Sequence, residues 1–216
     1  MNTEPTKNCT PRARILGLCL VTMALGACSV LQPKAATPPS FYALEYTGPV
    51  TKASMERSAL SGNTPTLVIS PVRAASGFDS QRIIYLREPH KLEYFAHNEW
   101  IDTPARMLGP LMVTTLEQTG AFKAVVMTPG SASGELRLDT EIVRLQQNFQ
   151  SRPSTMQFAL RVYLVEEKTR KVVSWRLFEA QVPTTSEDPR SGVVAANRAV
   201  KTVLEELSQF LLMRPK

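Results

Sequence analysis

Apolar and polar positions recur with a period of two over several stretches of the chain and with a helical period over two others. Phe41 to Tyr46 and the β-branched Thr66 to Val72 predict the first two strands, with an aperiodic loop over 47–64 between them. Arg82 to Arg87 and Lys91 to His97 flank Glu88-Pro89-His90 and predict a hairpin. Thr103-Pro104 supplies a capping hydroxyl and a proline at the first helical position, and Leu108, Leu111, Met112, Thr115 and Leu116 keep helical spacing up to Gly120. Gly109-Pro110 conflicts with that helix and predicts a kink or a late start, because proline removes a backbone donor. Ala121 to Met127 predicts a short strand. Leu136, Leu138, Thr140 and Ile142 then alternate with Arg137, Asp139 and Glu141, as in a strand with one wet face.

Met156 to Glu166 and Lys171 to Val182 predict two more strands around Glu167-Lys168-Thr169-Arg170. Phe158, Leu160, Val162 and Leu164 share one face of the former, and Val173, Trp175 and Leu177 one face of the latter. A last helix is expected from Pro189 to Leu212, with an apolar stripe of Val193, Ala196, Val200, Val203, Leu204, Leu207 and Leu211. The economical fold is α+β: a mostly antiparallel sheet with two helices packed on one face, in a single domain over 41–216.

The first 28 residues follow another pattern. Lys7, Arg12 and Arg14 precede an apolar stretch from Ile15 to Leu25, and Leu25-Gly26-Ala27-Cys28 follows, so residues 1–27 read as a secretory signal peptide. Leu25-Gly26-Ala27-Cys28 resembles the lipobox of bacterial lipoproteins, which implies a diacylglycerol thioether on Cys28, cleavage before it and acylation of the new amine. About 0.8 kcal/mol per buried methylene would make such an anchor nearly permanent. Ser29 stands where an aspartate would signal inner-membrane retention in enteric bacteria, so the sorting analogy favours the outer membrane, facing the periplasm. Residues 28–40 are the lipidated cysteine and a proline-rich tether, long enough to hold the domain up to ~35 Å from a bilayer.

Composition narrows the function further. Of 216 residues 43% are hydrophobic and 20% charged, enough for a real core, and no apolar run is long enough to span a membrane as a helix. All three cysteines lie at or before position 28, leaving a mature chain without a disulfide. Cleavage removes Lys7, Arg12, Arg14 and Glu4 and lowers the net charge of +6 by two. The remaining basic residues are scattered, which argues against nucleic acid as a partner.

Catalytic and metal chemistry finds little support. His90 and His97 have no third ligand beside them, so no metal site or other cofactor is expected. Gly130-Ser131-Ala132-Ser133-Gly134 fails as a nucleophile elbow because its centre is Ala132. No phosphate-binding loop occurs, so ATP would be spent by a partner, and the chain is not expected to be an enzyme. Glu166-Glu167 and Glu205-Glu206 read as solvated charge, and Glu187-Asp188 as the start of the last helix. Tyr85, Tyr94, Phe95 and Trp100 form the candidate surface. Tyr94 and Phe95 point to opposite sides of a strand, so the group either packs beneath the helices and along the sheet edge or offers an exposed patch to a protein or to acyl chains.

From Asp79 to Val125, through Arg82-Ile83-Ile84-Tyr85, Leu92-Glu93-Tyr94-Phe95, Trp100, Pro104, Leu108, Leu116 and Gly120-Ala121-Phe122-Lys123-Ala124-Val125, the chain resembles the ABC-type transport auxiliary lipoproteins. Phe41-Tyr42-Ala43-Leu44 and Val68-Ile69-Ser70-Pro71-Val72 fit the same pattern, and Gly109-Pro110 departs from it. Members of that family include the lipoprotein of the Pqi system and accompany MCE-type phospholipid transporters. The resemblance implies a non-catalytic accessory that docks or positions a periplasmic conduit at the outer membrane, with an MCE-domain protein as partner. A homo-oligomeric ring matching that conduit follows by family analogy alone. Two other roles stand beside it: a lipid-carrying lipoprotein with an apolar ligand between helices and sheet, and an assembly subunit plugging an outer-membrane protein.

Overall fold

Long antiparallel ladders organise the second half of the molecule, and short parallel ones attach the first half to it. A computed structural model describes residues 38–45, 64–130 and 133–213. The expected signal peptide (1–27), Cys28 and most of the tether lie outside the described residues, as do Tyr46, most of the 47–64 loop, and Ser131 and Ala132.

The strands are β1 (Ser40–Tyr42), β2 (Leu67–Ile69), β3 (Arg73–Ala74), β4 (Arg82–Glu88), β5 (Lys91–Trp100), β6 (Val125–Met127), β7 (Leu136–Asn148), β8 (Thr155–Glu166) and β9 (Lys171–Pro183). Helix α1 (Pro104–Glu117) lies between β5 and β6, and α2 (Pro189–Leu212) follows β9. All nine strands among the described residues join one sheet. β7 is its spine: one edge pairs with β8, and the other meets β2 at Leu136–Leu138, β3 at Glu141–Ile142 and β4 at Gln146–Asn148 in succession.

The β4–β5, β7–β8 and β8–β9 ladders are antiparallel. Those of β1 with β5, β2 with β6, and β7 with β2, β3 and β4 are parallel, so the sheet is mixed. Each parallel ladder is two or three residues long and joins segments distant in sequence, which leaves no turn signal to read.

Element boundaries moved for local reasons. The strand expected over Thr66 to Val72 is shortened to β2, ending before Pro71, which has no N–H for the ladder, and β3 begins beyond it at Arg73. Ala121 to Ala124 is loop rather than strand, although the Lys123 N–H donates to Pro65 O at 3.0 Å. β7 runs past Ile142 to Asn148 because a bulge at Val143 absorbs the break in alternation.

Helix α1 begins where its cap requires, with Thr103 Oγ1 accepting from the Arg106 N–H at 3.4 Å. No late start occurs, and the helix continues through Pro110. Pro110 is exposed, so the carbonyl it leaves unpaired can meet water. A Cβ at Gly109 would come within 2.8 Å of Met127 Sδ on β6, the end of a flexible and exposed side chain.

The predicted stripe of α2 is buried along its length and packs on β8 and β9, while α1 packs against β6 and touches α2. Phe158, Leu160, Val162, Leu164 and Phe178 from the sheet join both helices in one core cluster. Each such side chain contributes about 1.5–3 kcal/mol as an upper bound, so helix burial rather than propensity holds this layer.

Candidate functional site

The four aromatic candidates do not form one surface. Tyr85 is buried and lies 4.5 Å, centroid to centroid, from Phe95, and Phe149 completes the cluster at 5.7 and 6.3 Å from the two rings. Arg87 caps it, 4.8 Å from the Tyr85 ring centre. Trp100 is 2% exposed and belongs to the core with Ala105 and Leu108 of α1, which corrects its assignment to a contact surface. Tyr94 alone is open, 49% exposed, with the Arg82 guanidinium 4.0 Å above its ring. The physical reason is a register shift in β4–β5: Arg82 pairs with Glu99, but Ile84 pairs with Tyr94, so β5 carries extra residues that alternation does not reveal.

Tyr94 and Arg82 line an open cleft of about 320 Å³ with Asp79, Ser80, Ile84 and Leu92. Charges of both signs meet there, with no nucleophile–base pair among them. A second hollow, of about 430 Å³, lies between Gly134, Glu135, Glu166, Glu167 and Lys168. Hydrogen bonding by the Thr66 N–H, at 2.7 Å, holds the Glu135 carboxyl below the usual range. His90 sits at the β4–β5 turn with φ 66° and His97 is exposed on β5. Among the described residues no three His, Cys, Asp or Glu side chains are grouped to hold a metal, and no helix is long and apolar enough to cross a membrane.

The outer face of the sheet, away from the helices, carries a feature the sequence reading missed. Over β7 it is ionic: Arg137 bridges Asp139 at 3.1 Å and Glu167 at 2.9 Å, and Arg161 meets Glu141 at 2.7 Å. The cross-strand rows Asp139–Tyr163–Trp175 and Glu141–Arg161–Leu177 lead from those charges to an apolar flank. There Trp175, 62% exposed, stacks on Tyr163 at 6.3 Å beside exposed Leu177, Val172 and Val173. Val173, Trp175 and Leu177 do share a face, but it faces solvent, while Phe178 and Ala180 take the helix side. The available signal was that β9 is apolar on both faces, which a strand with one wet side is not.

Beneath the other face, a polar knot fixes the start of α2. Gln147 Nε2 donates to Ser154 Oγ at 2.9 Å, the Ser154 and Thr184 hydroxyls meet at 2.7 Å, and the Ser154 N–H donates to Glu187 Oε1 at 2.9 Å. Asp188 caps the helix through the Ser191 N–H at 2.9 Å. The Ser186 hydroxyl first, and then that N–H, hold the Asp188 carboxyl below its ordinary value. Gly192 lies so close to Gln147 that a Cβ would fall 2.2 Å from its Oε1. The core side chains of α2, β8 and β9 join in one buried cluster.

The fold recurs in solved structures. A Xanthomonas campestris protein of the DUF330 family is 21% identical, with a TM-score of 0.65 over 82% of this chain and 95% of that one. An uncharacterized protein at 12% identity gives 0.63 over 81% of this chain and 99% of its own. At these identities the likeness shows the fold alone. No curated protein matches the chain. The family model for the ABC-type transport auxiliary lipoprotein component matches residues 46–208, and the chain belongs to that family.

Proposed function

We propose that the protein is a non-catalytic, lipid-anchored accessory of an MCE-type ABC system for (phospho)lipid transport, docking or positioning the periplasmic conduit at the outer membrane. The family match over residues 46–208 carries this reading. The segment ending at Cys28 supports the anchor, which holds the domain near one bilayer, and the tether raises the local concentration of its surface without fixing its angle. The packing of the α2 stripe directly on β8 and β9 favours docking over carriage of an acyl chain between the layers.

Two measurements test the reading in separate parts. Labelled palmitate is expected on the wild type and not on Cys28→Ala, and outer-membrane fractions of a density gradient are expected to hold the wild type. Affinity purification from gently solubilised envelopes is expected to recover an ATPase, a permease and an MCE-domain protein. An unacylated protein in the cytosol would remove the anchor, recovery of a β-barrel alone would replace the transporter with an assembly machine, and a stoichiometric lipid in native mass spectra would make the protein a carrier.

A further inference from the structure

The chain joins the folded body through Ser40–Glu45, and few contacts hold that segment. β1 lies parallel to β5 over three residues, and the Ile101 N–H donates to Tyr42 O at 2.7 Å. The Tyr42 hydroxyl donates to Asn98 Oδ1 at 3.2 Å, and Leu44 is buried in the core cluster.

The remaining hold comes from the helix layer. Asn197 of α2 accepts from the Glu45 N–H through Oδ1 at 2.8 Å and donates through Nδ2 to Ala43 O at 3.2 Å. Those two backbone groups flank Leu44 and are the pair that a neighbouring parallel strand would satisfy, so one carboxamide stands in for a peptide group. Nδ2 also donates to Val193 O at 3.2 Å, one turn back on its own helix. Only this orientation of the amide makes all three bonds, since the reverse would set oxygen against two carbonyls.

We propose that Asn197 is a positioning residue, a latch that keeps Ser40–Glu45 on the domain and thereby sets how much chain lies between anchor and folded body. With the latch closed, about 12 residues lead from Cys28 to Ser40. With it open, the first strand holding the chain is β2, and about 39 residues lead from Cys28 to Leu67. Local concentration falls as roughly the −3/2 power of tether length, so opening the latch lowers it about sixfold at a partner near the bilayer. A short ladder, one buried leucine and one carboxamide place this segment at the low end of local stability. The effect on the tether rests on the lipid anchor proposed at Cys28; the latch itself does not.

Hydrogen–deuterium exchange of the purified full-length protein tests the latch. In Asn197→Ala the amides of Ser40–Glu45 are expected to exchange at least about tenfold faster than in the wild type, while α2, β8 and β9 keep their protection. Asn197→Asp keeps an acceptor for Glu45 but sets a carboxylate oxygen against Ala43 O, and is expected to speed the same amides. Tether length is read by energy transfer from a dye on Lys168→Cys, the sole thiol of the acylated chain, to headgroup-labelled lipid in phosphatidylethanolamine–phosphatidylglycerol vesicles that carry the protein. Adding Asn197→Ala is expected to lower the transfer. Unchanged exchange at Ser40–Glu45, or faster exchange spread over α2 and β9, would overturn the latch, and equal transfer would overturn its control of the tether. A wild type without an acyl chain would refute the anchor and the tether with it, and the exchange result would still decide the latch.

Discussion

The β4–β5 and β8–β9 hairpins each carry a tryptophan and a run of apolar residues, and they dispose of them in opposite ways. In the first, Trp100 goes under α1 and Tyr85, Phe95 and Phe149 close on one another. In the second, Phe178 and Ala180 go under α2, while Trp175 and Leu177 remain in solvent. Both obey the alternation of a strand. What separates them is which element crosses which face, a property of topology rather than of local pattern.

The two tryptophans therefore provide the largest expected contrast. Trp100→Ala should cost about 3–5 kcal/mol in chemical denaturation, because a fully buried indole leaves a cavity. Trp175→Ala should change the stability of the protein by no more than about 0.5 kcal/mol. In the Trp100→Ala variant the remaining fluorescence should be quenched readily by iodide; in the Trp175→Ala variant it should resist. Equal losses of stability would erase the distinction between the hairpins.

The covered face can also be attacked from its helix. Gly192→Ala should cost about 1–3 kcal/mol, because the added methyl overlaps the Gln147 carboxamide oxygen and α2 must shift to admit it. Pairing it with Gln147→Ala should recover part of that loss in a double-mutant cycle. Full additivity would mean that the contact does not set the helix position.

Asp188→Ala should cost about 1 kcal/mol at neutral pH through loss of the cap. The folded-state pKa of Asp188 is lowered, so its contribution is present above the unfolded value and fades as pH falls through the folded one. The gap between wild type and variant should accordingly narrow in acid, as followed by urea unfolding at a series of pH values. A gap that widens in acid would contradict the assigned hydrogen bonds.

Much of this architecture was legible in the residues. The α2 stripe, the Thr103-Pro104 and Asp188-Pro189 helix starts and the two long hairpins all rest on local chemistry that the chain states outright. The parallel ladders were not, since Leu67–Ile69 meets Leu136–Leu138 across a long stretch of chain that carries no register signal. The choice between core and surface for Trp100 was open for a related reason: the β5 irregularity decides which residues face α1, and a bulge leaves no mark in hydrophobic alternation. The open flank of β9 was half visible, because its apolar residues occupy both faces, but nothing local says that a single helix covers only one of them.

Tyr94 is the smallest test of the same contrast, because it is the one candidate of the first hairpin that behaves like those of the second. The Arg82 guanidinium above its ring shields part of the exposed face, whereas Trp175 has a ring, Tyr163, for a neighbour. An exposed cation–π contact is worth about 0.5–1 kcal/mol, so Tyr94→Ala and Arg82→Ala should each lose that much or less, and the double variant no more than either alone. If Tyr94→Ala left stability untouched yet broke recovery of the transporter components, the cleft beside it would be a binding surface.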